Sequence, residues 1–325
     1  MKILVTGGAG YIGGTTARLL LAGGHEVTVY DNLCHSRREA LPRAASFVEG
    51  DLANRGLLEA TLRARKFDGV MHFAALIEAG ESMTKPELYF RNNTAGTLTL
   101  LEAMLSTGHD KLVFSSTAAC YGEPERSPIE EGARLQPTNP YGESKLLVEQ
   151  MLAWMNIAHG LRYASLRYFN VAGAVEGYGE SHEPESHLIP LILDVALGRR
   201  ENIKTFGHDY PTKDGTCVRD YIHVEDLAEA HLLALAALER DSKLIYNIGN
   251  GQGFTVLEVV DSVRRVTGCA VPVEACPRRP GDPAVLVASS DKIKRELGWK
   301  PKFAELDVII ASAWDWHQKR YAEVG

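Results

Sequence analysis

Tyr141 and Lys145 stand four residues apart in Tyr141-Gly-Glu-Ser-Lys145, a spacing that sets a phenol and an ammonium side by side on one face of a helix. A free tyrosine titrates near ~10 and is no base at neutral pH. A fixed ammonium and a positive cofactor ring beside it both favour the phenolate. Lowering its pKa by about three units takes roughly 4 kcal/mol of differential interaction, within reach of two cations in a poorly solvated cleft. The chemistry of such a pair is removal of a proton from an alcohol. Ser115-Ser116-Thr117 ends a predicted strand about 24 residues upstream, where a hydroxyl can share that proton with Tyr141. One of the three is expected to do no more than cap a helix.

Gly7, Gly10 and Gly13 follow the apolar run Lys2–Thr6 and open a helical pattern at Tyr11. Glycine is needed there because the backbone must turn sharply and come close to a pyrophosphate, which the helix N-terminus then holds with its unpaired N–H groups. Asp31 closes the second predicted strand. An acid at that point accepts both ribose hydroxyls of an adenosine and repels a 2′-phosphate, so the cofactor reads as NAD and not NADP. Asp51, after the third strand, either meets the adenine or caps the next helix.

Positioning these groups requires strands and helices in strict turn. Strands are predicted at Lys2–Thr6, Glu26–Tyr30, Ser46–Glu49, Gly69–Phe73, Lys111–Ser115 and Arg162–Tyr168. Helices are predicted at Tyr11–Ala22, Arg55–Arg65, Pro86–Thr107 and Asn139–His159. Apolar strands alternating with helices imply an α/β fold, a doubly wound parallel sheet of Rossmann type covered on both faces. After Asn170 the alternation becomes irregular and Gly, His and acids crowd together. Residues 1–170 are therefore read as an NAD-binding domain and 171–325 as a smaller α/β substrate-binding domain, interleaved around 220–250.

Composition narrows the class. The 325 residues carry 35 Lys and Arg against 42 Asp and Glu, a formal charge of −7, which argues against a broad nucleic-acid face. No apolar run approaches the ~20 residues of a membrane span, and no secretory leader is visible. Five scattered cysteines without a CxxC pair suggest reduced thiols in a cytoplasmic protein and no zinc cage. No G-x-S-x-G elbow points to a hydrolase. The loop from Gly177 to His187, with His182 and several glutamates, reads as an acidic loop beside the cleft, and no metal is expected. His72 and His223 read as structural.

Longer motifs carry a resemblance: TGGAGYIG from Thr6, DNL from Asp31, HFAA from His72, GES from Gly80, FSST from Phe114 and PYGESK from Pro140. LRYFN from Leu166, FGHDYPTKDGTCVRDYIHV from Phe206 and PRRPGD from Pro277 continue it over nearly the whole chain. The sequence resembles the extended short-chain dehydrogenase/reductase family, in particular its branch that epimerises sugar nucleotides at C4. The resemblance implies that Tyr141 is the base, that Lys145 orients the nicotinamide ribose and lowers the tyrosine's pKa, and that Thr117 bonds the sugar O4. It places NAD against Gly7, Gly10, Tyr11, Ile12, Gly13, Asp31, Asn32, Asp51, Leu52, Phe73, Ala74, Ala75, Asn92, Ser115 and Tyr168. It places a UDP-sugar against Asn170, His187, Leu188, Thr205, Phe206, Arg219, Arg279, Asp282 and Leu286, with the two arginines on the phosphates and Asp282 on the uridine ribose. Arginine suits phosphate because its planar fork bonds two oxygens at once.

The implied reaction is interconversion of UDP-galactose and UDP-glucose by transient oxidation at C4, rotation of the ketose and reduction from the other face. UDP-GlcNAc/UDP-GalNAc or UDP-pentoses are alternative substrates. Thr117 is followed by Ala118 and Ala119, where 4,6-dehydratases of the family carry acids, so further chemistry on the ketone is disfavoured. Ile77 replaces a lysine that some relatives have near the cofactor. Leu286 replaces a tyrosine of the relative selective for unacetylated hexoses, leaving room at C2. The resemblance also implies a homodimer packed through the Pro86–Thr107 and Asn139–His159 helices.

Overall fold

A computed structural model describes residues 1–182, 184–279 and 282–322. The six predicted apolar runs are strands: β1 (Lys2–Thr6), β2 (Glu26–Asp31), β3 (Ser46–Glu49), β4 (Gly69–His72), β5 (Lys111–Thr117) and β6 (Arg162–Tyr168). A seventh strand, Lys243–Ile248, was not anticipated and pairs in parallel with β6, Leu244 opposite Ala164. The spatial order is Lys243–Ile248, β6, β5, β4, β1, β2, β3. All pairs in this sheet are parallel. The order in which successive strands are added switches from one side of β1 to the other between β3 and β4, so the crevice between β1 and β4, beyond the strands' carboxyl ends, is where such sheets bind ligands.

Alternation along the strands decides which layer each residue joins. Ile3 and Val5 pack with Ala17 and Leu20 of the helix Tyr11–Ala22 and with Leu227, Ala230 and Ala234 of the helix Val224–Ala237. Leu4, between them in sequence, faces the opposite layer with Leu58, Leu100, Met104, Val148 and Leu152. Burial on both faces is why β1 reads as an unbroken apolar run.

Two elements differ from the sequence pattern. β5 runs on to Thr117, so Ser115-Ser116-Thr117 lies inside a strand whose hydroxyls are buried. The predicted helix Pro86–Thr107 is a helical turn at Pro86–Tyr89, a π-helical segment at Phe90–Ala95 and an α-helix at Gly96–Thr107. The widened turn seats the buried Asn93, whose amide accepts from Leu76 N–H (2.8 Å) and donates to Leu76 O and Ser144 Oγ (3.0 Å each). It thereby ties the stretch after β4 to the helix Pro140–His159. That helix has Pro140 at its first position and Asn139 as its cap, accepting from Gly142 N–H at 2.9 Å, which is a strong start signal.

Beyond β6, Asn170–Ala172, Gly253–Thr255 and Val285–Leu286 all pair with the strand Val218–His223. The helices Leu188–Ala196, Val256–Thr267 and Leu306–Ala322 form a separate apolar cluster around Ile192, Val259, Val263 and Ile309. Among the described residues no helix is long and apolar enough to cross a membrane.

Candidate active site

The carboxyl ends of the sheet strands open on one cleft of about 1140 Å³. The turn after β1 floors it. Gly7 has φ +71°, and a Cβ there would sit 2.5 Å from Ala74 N. A Cβ on Gly13 would overlap the Gly7 carbonyl oxygen. Gly10 starts the helix Tyr11–Ala22 with no side-chain cap, which leaves the first-turn N–H groups to an external acceptor. A turn folded too tightly against neighbouring backbone for side chains at Gly7 and Gly13, ending on an uncapped helix N-terminus, fits the pyrophosphate of a dinucleotide.

Asp31 stands beside it. Its carboxylate accepts from Ala9 N–H (3.0 Å), Leu33 N–H (2.8 Å) and Ser36 Oγ (3.2 Å). It therefore braces the glycine turn as well as facing the cleft, a role its type and position did not announce. Asn32 donates to Asp51 at 2.8 Å. Of the two readings of Asp51, the helix cap fails: Asn54 caps the helix Arg55–Ala64 by accepting from Leu57 N–H at 3.0 Å. Asp51 and Leu52 are on the cleft wall.

Thr117, Tyr141 and Lys145 all line the cleft, with the Thr117 hydroxyl bonded to the Tyr141 phenol. Lys145 is 3 % exposed and donates to the Ser115 carbonyl at 2.9 Å. Ser115 Oγ is hydrogen-bonded to the Tyr168 hydroxyl. Burial holds the Lys145 amine down at about 8. Burial also pushes the Tyr141 phenol well above its ordinary value, and the Thr117 hydroxyl bonded to it only partly opposes this. In the protein by itself burial therefore dominates the Tyr141 phenol, and a positive charge brought beside it would favour the phenolate.

Behind this centre is a polar network that no sequence motif displays. Glu149, one helical turn beyond Lys145, accepts from Ser116 Oγ at 2.6 Å and forms an ion pair with Arg167, with 5 % and 3 % of the two side chains exposed. Arg167 also donates to the Tyr121 hydroxyl at 2.9 Å. The signal available in the sequence was an acid four residues beyond the candidate lysine, Glu149, and the arginine within LRYFN, Arg167.

Elsewhere in the cleft, the Arg219 guanidinium pairs with Asp282 and donates to the Val218 carbonyl at 2.7 Å. Arg279 lies 3.9 Å over the Phe206 ring. Asn170 donates to the Asp220 carbonyl at 3.2 Å, and Thr205 Oγ1 is 3.0 Å from His208 Nε2. Asp220, fully buried, accepts from the N–H groups of Asn250 (2.7 Å), Gly251 and Ala288 (3.0 Å each) and so anchors the strand that carries Arg219. Burial alone would lower His187, but Glu185, 2.7 Å from its Nδ1, with Glu180 and Glu78, holds it up at about 9. At neutral pH His187 and Glu185 therefore stand as an ion pair, with the imidazole on the cleft wall.

The remaining candidates Tyr11, Ile12, Phe73, Ala74, Ala75, Asn92, Tyr168 and Leu188 also line the cleft, as does Ile77. Leu286 is not among the residues that line the cleft, although its neighbour Phe169 is. It packs with Ala118, Tyr121, Ile129 and Phe169 while its backbone pairs with Arg219. His72 is held between Thr6 Oγ1 (2.6 Å) and Thr97 Oγ1 (2.8 Å), and burial lowers it to about 3. His223 caps the helix Val224–Ala237. Both are structural. Glu180, Glu185 and His187 bring potential ligand atoms within 4.8 Å of one another, but His187 Nδ1 is already given to Glu185.

A tyrosine–lysine–threonine centre facing a dinucleotide cradle defines an oxidoreductase-type site on a nucleotide-binding sheet. The chain belongs to the NAD dependent epimerase/dehydratase family, whose profile matches residues 3–249. It is 55 % identical over 317 residues to the UDP-glucose 4-epimerase of Streptomyces lividans, covering 97 % of this chain and 96 % of that one. The solved UDP-glucose 4-epimerase from Brucella ovis in complex with NAD is 46 % identical, with a TM-score of 0.94 over 97 % of both chains. That from Stenotrophomonas maltophila, with bound NAD and formylated UDP-arabinopyranose, is 41 % identical, with a TM-score of 0.96 over 99 % of both.

Proposed function

We propose that this NAD-dependent enzyme interconverts UDP-galactose and UDP-glucose at C4. The Gly7–Gly13 turn, Asp31 and Lys145 would hold NAD, which would supply the oxidant for C4 and the positive charge that favours the Tyr141 phenolate. Tyr141 takes the proton from O4 and later returns it. Thr117 bonds the same oxygen and keeps it aligned with the phenol. Lys145 is fixed by the Ser115 carbonyl, so it holds the nicotinamide ribose in place.

Between the half-reactions the ketose must present its other face, so the firm grip has to be on UDP. Arg219, Arg279, Asp282 and His187 line the same cleft, and we assign the UDP grip to them. The observation that carries the reading is the joint presence of these groups and the Tyr141 centre in one cleft, with Ala118 and Ala119 after Thr117 instead of acids. A coupled assay with purified protein and no added NAD tests it: UDP-galactose should turn over, and Tyr141→Phe should abolish turnover while leaving UDP affinity intact. No conversion by the wild type would refute the proposal.

UDP-GalNAc and UDP-arabinose belong in the same assay, since the Stenotrophomonas relative holds a formylated UDP-pentose. We further take residues 1–170 as the NAD-binding part and 171–325 as the UDP-sugar part, with Lys243–Ile248 returning to the first sheet. A homodimer is supported by Trp154 and Ile157, 69 % and 72 % exposed on the helix Pro140–His159, and light scattering tests it. Five free cysteines support a cytoplasmic setting.

A further inference from the structure

Ala174–Val175 and Tyr178–Gly179 form a small antiparallel hairpin beyond the main sheet, Ala174 opposite Gly179. It sits on the start of the helix Tyr11–Ala22. The Tyr178 side chain is buried, with its hydroxyl 2.9 Å from Gly10 O and 3.1 Å from Ala9 O, one proton shared between two carbonyls of the glycine turn. Room for the ring exists because residue 14 is glycine: a Cβ there would overlap the phenol oxygen. Arg18, one turn along, stacks 3.6 Å from the ring centroid while donating to Gly14 O (3.1 Å) and Ala40 O (2.8 Å). A second phenol works in the opposite direction, Tyr11 donating to Gly173 O at 2.6 Å.

The consequence follows from peptide geometry. In a planar trans peptide the C=O and the next N–H point opposite ways. Tyr178 takes the carbonyl of Ala9 and shares that of Gly10 with the Gly14 N–H (2.7 Å), so the peptide whose far side carries the Tyr11 N–H is held by two donors at once, with that N–H pointing back out of the helix start. That N–H belongs to the first helical turn, where no intrahelical acceptor exists. A turn held this way has little to reorganise when a pyrophosphate arrives and little freedom to let it go. The hairpin leads directly to Glu180, whose carbonyl accepts from Trp316 Nε1 at 2.8 Å, and on to the segment bearing His187.

We propose that Tyr178, seated over Gly14 and steadied by Arg18, is a latch that presets the dinucleotide-binding turn and sets how slowly the bound cofactor leaves. This rests on the reading of the turn as the NAD site. The test is exchange of bound NAD against radiolabelled NAD in purified enzyme, for wild type, Tyr178→Phe, Gly14→Ala and, as control, Tyr246→Phe, whose hydroxyl bonds Glu296 at 3.0 Å away from the cleft. Loss of one hydrogen bond should speed exchange in Y178F by about 3- to 10-fold, with UDP affinity kept. G14A should act in the same direction by displacing the ring, and Y246F should exchange at the wild-type rate. Unchanged exchange in Y178F, including none detectable in either protein, overturns the latch, as does an equal acceleration in Y246F. Wild-type protein that contains no NAD and binds none on titration overturns the site reading itself.

Discussion

Replacing Lys145 by methionine is expected to stabilise the protein while disabling it. The side chain is 3 % exposed, and burial holds its amine at about 8 against an ordinary 10.5. That difference corresponds to roughly 3 kcal/mol spent at pH 7 on keeping an ammonium inside. Methionine matches the stem in volume and removes the charge. It also removes the bond to the Ser115 carbonyl, which offsets about 1.5 kcal/mol. The net expectation is a gain of about 1–2 kcal/mol at pH 7, with turnover lowered at least about 100-fold.

The pH dependence gives the sign. Between about pH 8 and 10.5 the unfolded wild type binds a proton that the folded form does not, so its stability rises with pH there and the variant's advantage shrinks. Urea unfolding of NAD-stripped wild type and K145M at pH 7 and pH 9.5 reads both effects. No gain at pH 7, or a gain of equal size at both pH values, would refute the reasoning.

Three other outcomes follow from the same geometry. Arg219→Ala deletes a charged donor from the UDP end and leaves Asp282 unpaired, so UDP affinity by calorimetry should fall about 10- to 100-fold. Glu149→Gln leaves the buried Arg167 charge uncompensated and should cost about 3–5 kcal/mol in chemical unfolding. His187, held up at about 9, is cationic at neutral pH; UDP affinity should decline as pH rises through about 9, and His187→Asn should remove that part of the dependence.

What the sequence displayed was what neighbouring residues decide. β1 to β6 were legible because strands buried on both faces are continuous apolar runs, and the helix Pro140–His159 because Asn139-Pro140 announces its start. The strand Lys243–Ile248 was not, since joining β6 is a pairing across some 80 residues. Ser116 looks like its hydroxyl neighbours until the fold sets Glu149 against it. Arg219 and Asp282 each read as ligands of UDP, and only folding shows them paired with each other across 63 positions. Tyr178 carried no motif, because its meaning depends on the missing Cβ of Gly14. The phenol of Tyr141 shows the same limit: spacing promises a nearby ammonium, whereas burial decides the pKa.

The account stands on a hydride that leaves C4 and returns to it within one closed site. UDP-galactose carrying deuterium at C4, incubated with the purified enzyme in ordinary water without added NAD, measures this by mass spectrometry and NMR of the product. UDP-glucose retaining the deuterium at C4 is the predicted result. Loss of the label to water, or conversion only when NAD is supplied in excess at every turnover, would contradict it.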